Sequence, residues 1–139
     1  MNDRFKIRAI NMETKEFIYV DNYYWFEENG ITEIDNNGTA SGHTGEYWIN
    51  QSTGKKDKNG ELIYEDDILQ DVSRADKPLY VVYRINDSAS FGIKMINPRK
   101  YELYSNWHIN RSQYDYVLVG NVYKNSELLE KGRQNEQHS

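Results

Sequence analysis

Three consecutive carboxylates, Glu65, Asp66 and Asp67, could hold a divalent cation or act as a general acid. In an extended segment Glu65 and Asp67 share one face while Asp66 points to the other, so only two of the three side chains can cooperate. The sequence offers no spaced partner, such as a Glu-x-x-His pair or an Asp-x-Asp-x-Asp-Gly loop, that would complete a metal site. We therefore predict a solvated corner, with no metal and no other cofactor.

The densest basic cluster of the chain consists of three lysines: Lys55, Lys56 and Lys58. Nearby side chains that could stack on nucleic-acid bases are Tyr47, Trp48 and Tyr64. Basic grooves with stacking rings bind single strands without sequence preference. Lysines around a turn are also typical of a sheet edge that must stay soluble. The second interpretation is favoured, and nucleic-acid binding stays the alternative.

Catalytic signatures are absent from the sequence. Its three histidines, His43, His108 and His138, have no serine-containing Gly-x-Ser-x-Gly elbow to serve, and neither a Gly-x-Gly-x-x-Gly nor a Walker pattern occurs. Without cysteine the chain can form no disulfide and has no thiolate nucleophile or ligand. We expect a protein that is not an enzyme.

The 139 residues fit one domain of ordinary size or one domain with a small lobe. The net charge is −5, and residues 9–54 hold one basic residue against eight acidic ones. Such an acidic region argues against a protein that coats phosphates. No stretch reaches the ~20 apolar residues that a membrane span needs, and the N-terminus lacks a secretory apolar run. We expect a protein of the bacterial cytoplasm that does not enter membranes.

Most of the chain has the pattern of short strands. Residues 4–10 alternate charged and apolar side chains, which predicts a half-buried strand. Residues 17–20 and 23–26 are typical of a hairpin, and residues 39–45 of an exposed loop. Gly120 could mark a bulge. Further strands are predicted at residues 46–49, 62–64, 68–72, 79–85, 91–96 and 116–123. Frequent turns between short strands indicate a barrel or a sandwich.

A cluster of turn-forming residues precedes the three carboxylates. Thr53 and Asp57 can hydrogen-bond the backbone of a turn that Gly54 and the Asn59-Gly60 pair allow to reverse. With Asp67, these residues form a motif that we interpret as structural rather than functional.

Two stretches resemble the YopX family of phage and prophage proteins: residues 51–69 (QSTGKKDKNGELIYEDDIL) and 116–129 (YVLVGNVYKNSELL). In that family a Thr-Gly-x-Lys-Asp-x-Asn-Gly turn leads into an Ile-Tyr-Glu-Gly-Asp-Ile strand, so Asp66 stands where glycine is usual. The resemblance implies a β-rich protein whose C-terminal part is similar to an SH3-like barrel, with no established biochemical activity.

We predict a mainly β fold, with α+β as the alternative. An N-terminal β-rich lobe (1–50) precedes an SH3-like barrel (51–131) and a disordered tail (132–139). The 12 Tyr, 3 Trp and 4 Phe residues are unusually numerous, and adjacent pairs such as Tyr47-Trp48 cannot both point inward on a strand. The surplus rings favour a binding or assembly module that forms homo-oligomers or engages a protein partner.

Overall fold

The computed structural model describes residues 6–20, 24–85, 90–96, 103–104 and 109–129. The strands are β1 (Ile7–Asn11), β2 (Phe17–Val20), β3 (Thr39–Gly42), β4 (Gly45–Lys56), β5 (Leu62–Tyr64), β6 (Asp67–Asp71), β7 (Leu79–Arg84), β8 (Phe91–Met95), β9 (Leu103–Tyr104) and β10 (Tyr116–Asn121). The helices are α1 (Tyr24–Glu28) and α2 (Ser112–Asp115). The mainly β prediction is confirmed.

The first sheet has the strand order β2-β1-β4-β3, with β5 also paired to β4. All of its pairs are antiparallel, and β1 lies between β2 and β4 in continuous register. Because side chains alternate along a strand, the two faces of β1 differ. Ala9 packs into an apolar cluster on one face; its other members are Ile31, Ala40, Tyr47 and Ile49, flanked by Ile7, Ile18, Trp25 and Phe26. The opposite face carries Arg8.

The second sheet has the order β10-β6-β7-β8-β9, again fully antiparallel. Its buried cluster comprises Ile63, Leu69, Tyr80, Val82, Phe91, Ile93, Ile109 and Tyr116. Along the chain β6 is the first strand of this sheet and β10 the last, and the two are paired. The described strands nevertheless do not close into the barrel that was predicted. The edge strand β10 pairs with β6 and the other edge strand, β9, pairs with β8, so this part of the molecule is an open sheet.

Two local predictions are wrong. Residues 24–28, which include most of the expected second hairpin strand, form α1. Its adjacent rings of Trp25 and Phe26 both pack against the apolar cluster of the first sheet. The helix ends where the side-chain amide of Asn29 donates a 2.8 Å hydrogen bond to the Trp25 carbonyl and Gly30 takes a φ of 69°. Residues 39–42 of the expected loop form β3, since Ala40 pairs with Tyr47 and is buried.

The bulge expected at Gly120 is present, as the register between β10 and β6 shifts between Leu118 and Gly120. The expected lobe boundary at residues 50/51 falls inside β4, which pairs with β1 and β3 before it and with β5 after it. The tail expected to be disordered, residues 132–139, lies outside the described residues.

Gly60 has a φ of 83°, in the left-handed region that a β-branched residue strongly disfavours. A Gly60→Val variant should therefore lose about 1–3 kcal/mol of unfolding free energy, measured by urea denaturation, through backbone strain alone, since no atom lies within 4 Å of its added Cβ. Lys58→Val is the matched control in the same turn, because Lys58 lies outside the left-handed region. Equal stability of the two variants would contradict the assignment of strain to Gly60.

Candidate binding cleft where the two sheets meet

Arg8 lies on the face of β1 that looks towards the second sheet, and its side chain is 3% exposed. Its Nε donates a 2.9 Å hydrogen bond to Oδ1 of Asn50, on the neighbouring strand β4. One terminal nitrogen donates to the Glu65 carbonyl at 3.1 Å, and the other lies 2.8 Å from Oδ1 of Asp67. A single guanidinium therefore connects β1 and β4 with the start of β6.

Two aromatic rings contact this cation. The guanidinium carbon of Arg8 lies 5.0 Å from the ring centroid of Phe17 and 4.9 Å from that of Tyr64. Both distances are within the range of cation–π attraction, which is strongest when the cation is withdrawn from water. The planar guanidinium can donate hydrogen bonds in its plane while stacking above and below it, which an ammonium group cannot do.

Asp67 is buried beside Arg8, and its Oδ2 accepts a 2.8 Å hydrogen bond from the Tyr64 amide. Oδ1 accepts no well-aligned hydrogen bond from the described residues, so its 2.8 Å contact with Arg8 is ionic. Burial raises the pKa of Asp67 to about 6, and the nearby Arg8 charge opposes that rise. This carboxylate is therefore held in its charged form at neutral pH at an energetic cost.

Asp66 forms the corner between β5 and β6 with a φ of 68°. This left-handed conformation explains the glycine of the family pattern, because glycine adopts it without steric cost. In this chain the carboxylate of Asp66 accepts hydrogen bonds from the Tyr123 hydroxyl and, at 3.2 Å, from the side-chain amide of Asn50. Asn50 also donates to the Tyr123 hydroxyl at 3.0 Å. The side chain that replaces glycine thus gains two partners.

A pair of stacked rings continues this network towards the surface. The Trp48 and Tyr123 rings lie 4.9 Å apart with an interplanar angle of 29°. The Lys15 ammonium lies 4.5 Å from the Trp48 ring centroid. Tyr123 also makes an edge contact with Phe17 at 6.1 Å, which links it back to the rings around Arg8. Burial and the adjacent Asp66 charge raise the pKa of Tyr123, so its hydroxyl keeps its proton.

Next to this network is a cleft of about 610 Å³. Its lining comes from separate parts of the chain: residues 34–38 before β3, residues 48–51 of β4, the 65–66 corner, the end of β7 and residues 122–123 after β10. Ile7 and Ile34 contribute apolar surface, and Trp48 and Tyr123 contribute rings. The cleft therefore exists only when both sheets are folded and joined.

The charged side chains that line the cleft are Asp35, Glu65, Asp66 and Arg84. Asp35 accepts hydrogen bonds from the Asn37 and Thr39 amides and from the Thr39 hydroxyl, and these contacts lower its pKa. Glu65 accepts a 2.7 Å hydrogen bond from the backbone amide of Gln51. Burial outweighs this bond and raises the pKa of Glu65. With three carboxylates and one guanidinium, the lining is acidic at neutral pH.

The structure separates the residues of the nucleic-acid hypothesis. Lys55, Lys56 and Lys58 are exposed at the end of β4 and the following turn. Tyr47 is buried in the first core and Tyr64 lies against Arg8, so neither ring can stack on a base. Trp48 is half-buried and packs on Tyr123 in the cleft. No continuous stacking surface joins the lysines to these rings.

The structure brings the predicted turn motif together except for Asp67, whose carboxylate contacts Arg8 and the Tyr64 backbone amide. Asp57 is buried, and its carboxylate accepts hydrogen bonds from the amides of Asn59, Glu61 and Leu118 at 2.8 to 2.9 Å. The Thr53 hydroxyl donates to the Ile63 carbonyl at 2.8 Å. Gly54 and Gly60 both have positive φ, at 77° and 83°. Asp57 therefore fixes the turn and attaches it to β10.

The described part of the chain has neither a cluster of metal ligands nor a membrane-spanning helix. It contains no cluster of three or more His, Cys, Asp or Glu side chains that could hold a metal ion, and the three consecutive carboxylates point to different partners. Among its helices, none is long and apolar enough to cross a membrane.

Sequence reasoning missed Arg8, Asn50 and Tyr123 as site residues. Arg8 and Asn50 are 42 residues apart, and Asn50 and Tyr123 are 73 apart. A charged residue in the alternating pattern of β1 is normally assigned to solvent, so no local signal marks Arg8 as buried.

Fold and site together define a mainly β protein of two antiparallel sheets that meet across a polar, aromatic junction beside an acidic cleft. The chain belongs to the YopX family, whose model, described as "YopX protein", matches residues 6–130. The crystal structure of protein EF1440 from Enterococcus faecalis has a similar fold, with a TM-score of 0.55 and 21% identity, covering 89% of this chain and 96% of that chain. No curated protein sequence matches at a significant level.

Removing the guanidinium should destabilise the protein strongly, because it leaves Asp67 buried without a compensating charge. We expect Arg8→Met to lower the unfolding free energy at pH 7 by about 3–5 kcal/mol, measured by urea denaturation. The double variant Arg8→Met/Asp67→Leu should recover part of this loss, because it removes both charges. A double variant no more stable than Arg8→Met would contradict the assignment of the loss to the unpaired carboxylate.

The raised pKa of Asp67 also predicts a pH dependence. Because the pKa is near 3.8 in the unfolded chain and about 6 in the folded protein, the stabilisation is complete below about pH 4 and is lost as the pH rises through 6. The unfolding free energy of the wild type, minus that of Asp67→Asn, should fall by about 2.4 kcal/mol between pH 4 and pH 7. A difference that stays constant over this range would show that the Asp67 pKa is unshifted.

Proposed function

We propose that this protein is a non-catalytic binding module of a phage or prophage, acting in the bacterial cytoplasm, and that it engages protein through the cleft between its sheets. The observation that carries the proposal is the cleft itself. Its volume of about 610 Å³ lies within the roughly 300–1,000 Å³ typical of ligand sites. Its lining combines apolar surface, stacked rings and charges, which are the groups that fix and orient a bound side chain.

The floor of the cleft is held in place before anything binds. Asn50, Asp66 and Tyr123 hydrogen-bond one another, and Trp48 is held between Lys15 and the Tyr123 ring. A preformed floor lowers the entropy that binding must offset. Recognition of a protein segment uses such rigid aromatic surface with a polar rim.

Ile34 supplies the rim with exposed apolar surface. Its side chain is 45% exposed, although it lies beside the rings of the cleft. Tyr24, on α1, is also an exposed large side chain, at 70%, but does not line the cleft. The two positions therefore provide a test position and a matched control.

Because the natural chain has no cysteine, one photo-crosslinker can be placed at one chosen residue. We expect Ile34→Cys carrying a benzophenone maleimide to form a covalent adduct with protein on illumination, in the purified sample or in cells that produce the variant. The readout is the mass of the adduct by gel electrophoresis and mass spectrometry.

Tyr24→Cys with the same label is the control and should give little or no adduct. Equal adducts at both positions would indicate nonspecific collision, and no protein adduct at position 34 in either setting would overturn the proposed function.

A further inference from the structure

The tip between β4 and β5 is a compact basic projection. Lys55, Lys56 and Lys58 are all exposed there. Asp57 lies among them in sequence, but its carboxylate is turned inward and used by three backbone amides. Glu61 is the exposed acidic residue that follows. Three ammonium groups and one carboxylate leave the surface of this tip positive.

The cleft has the opposite charge. Asp35, Glu65 and Asp66 exceed Arg84 in number, and Asp35 and Glu65 lie on segments 30 residues apart that meet only at this site. Asn36 and Gln51 add neutral amide side chains to the lining. A lysine entering the cleft would find carboxylate acceptors for its ammonium group and the apolar surfaces of Ile7 and Ile34 for its stem.

We infer that the cleft of one molecule receives the Lys55–Lys58 tip of a second copy of this chain. This inference rests on the proposed function and names the occupant. The supporting observation is that one molecule carries both complementary surfaces, a basic tip at the end of β4 and a cleft whose carboxylates lie at residues 35, 65 and 66. Such matched charge directs orientation and association rate as well as affinity.

The placement of the two surfaces on β4 suits a closed pair. Residues 48–51 of β4 line the cleft, and the strand continues to the tip. At about 3.3 Å per residue, the two surfaces lie roughly 20 Å apart along β4. Two copies running in opposite directions can therefore place each tip at the other's cleft, giving a two-fold interface with two equivalent contacts.

Sedimentation equilibrium on the full chain tests the inference. At about 50 mM salt the wild type should dimerise, and the dissociation constant should rise about tenfold at about 300 mM, because salt screens exposed charges. The tip variant Lys55→Glu/Lys58→Glu should weaken the dimer about tenfold or more. The cleft variant Asn36→Lys/Gln51→Lys should do the same without removing a cleft carboxylate.

The tip variant mixed with the cleft variant should associate more tightly than either variant alone, because the unchanged lysine tip of one meets the unchanged acidic cleft of the other, and the glutamate tip meets a cleft that is neutral instead of negative. Arg74→Glu/Lys77→Glu, in the exposed loop after β6, changes the net charge as the tip variant does and should leave the dimer unchanged. Circular dichroism of each variant confirms that it is folded.

A wild type that stays monomeric at every concentration overturns the inference. A dimer whose dissociation constant is unchanged in both the tip and the cleft variants overturns it as well. Retention of a labelled single-stranded oligonucleotide by a monomeric wild type, lost in the tip variant, would assign the tip to nucleic acid instead. The proposed function survives these results if the Ile34 crosslinker still captures another protein. It fails with the inference if position 34 captures none.

Discussion

The guanidinium of Arg8 is the interaction on which the arrangement of the two sheets depends. It hydrogen-bonds Asn50 of β4 and the Glu65 carbonyl, pairs with Asp67 of β6, and contacts two aromatic rings. A buried ion pair is a weak source of net stability, since desolvation offsets most of the attraction. Its value here is geometric, because a planar donor with several fixed directions accepts only one relative placement of the strands it joins.

The junction also explains why this chain tolerates an aspartate at a left-handed corner. The φ of 68° at Asp66 strains any residue with a Cβ, but the carboxylate gains hydrogen bonds from Asn50 and Tyr123. Asp and Asn are the residues other than glycine that most readily adopt this conformation. The substitution exchanges backbone freedom for a polar network, and that network forms the floor of the cleft.

Local patterns in the sequence predicted the fold better than the site. Alternation located β1, and apolar runs between turns located β6, β7, β8 and β10 of the second sheet, whereas β9 was not predicted. The Asn-Gly turn at residue 60 has the expected positive φ. The pattern failed at residues 24–28, where a one-turn helix lets both Trp25 and Phe26 reach the core, as a strand cannot. The cleft was beyond sequence reasoning because Asn50 and Tyr123 meet only through tertiary pairing. The sequence shows what each side chain can do chemically, but it does not show which side chains become neighbours in the fold.

The cleft is a consequence of how the sheets are joined. An apolar junction would close by packing side chains to crystal-like density. Here the facing groups are Arg8, Asn50, Asp66 and Asp67, whose hydrogen bonds have fixed lengths and directions and cannot be compressed to fill space. The rings of Trp48 and Tyr123 stack on each other and, together with Ile34, line the opening beside this network. The same polar contacts that fix the sheets therefore leave a preformed acidic opening, with its carboxylates already positioned by the fold.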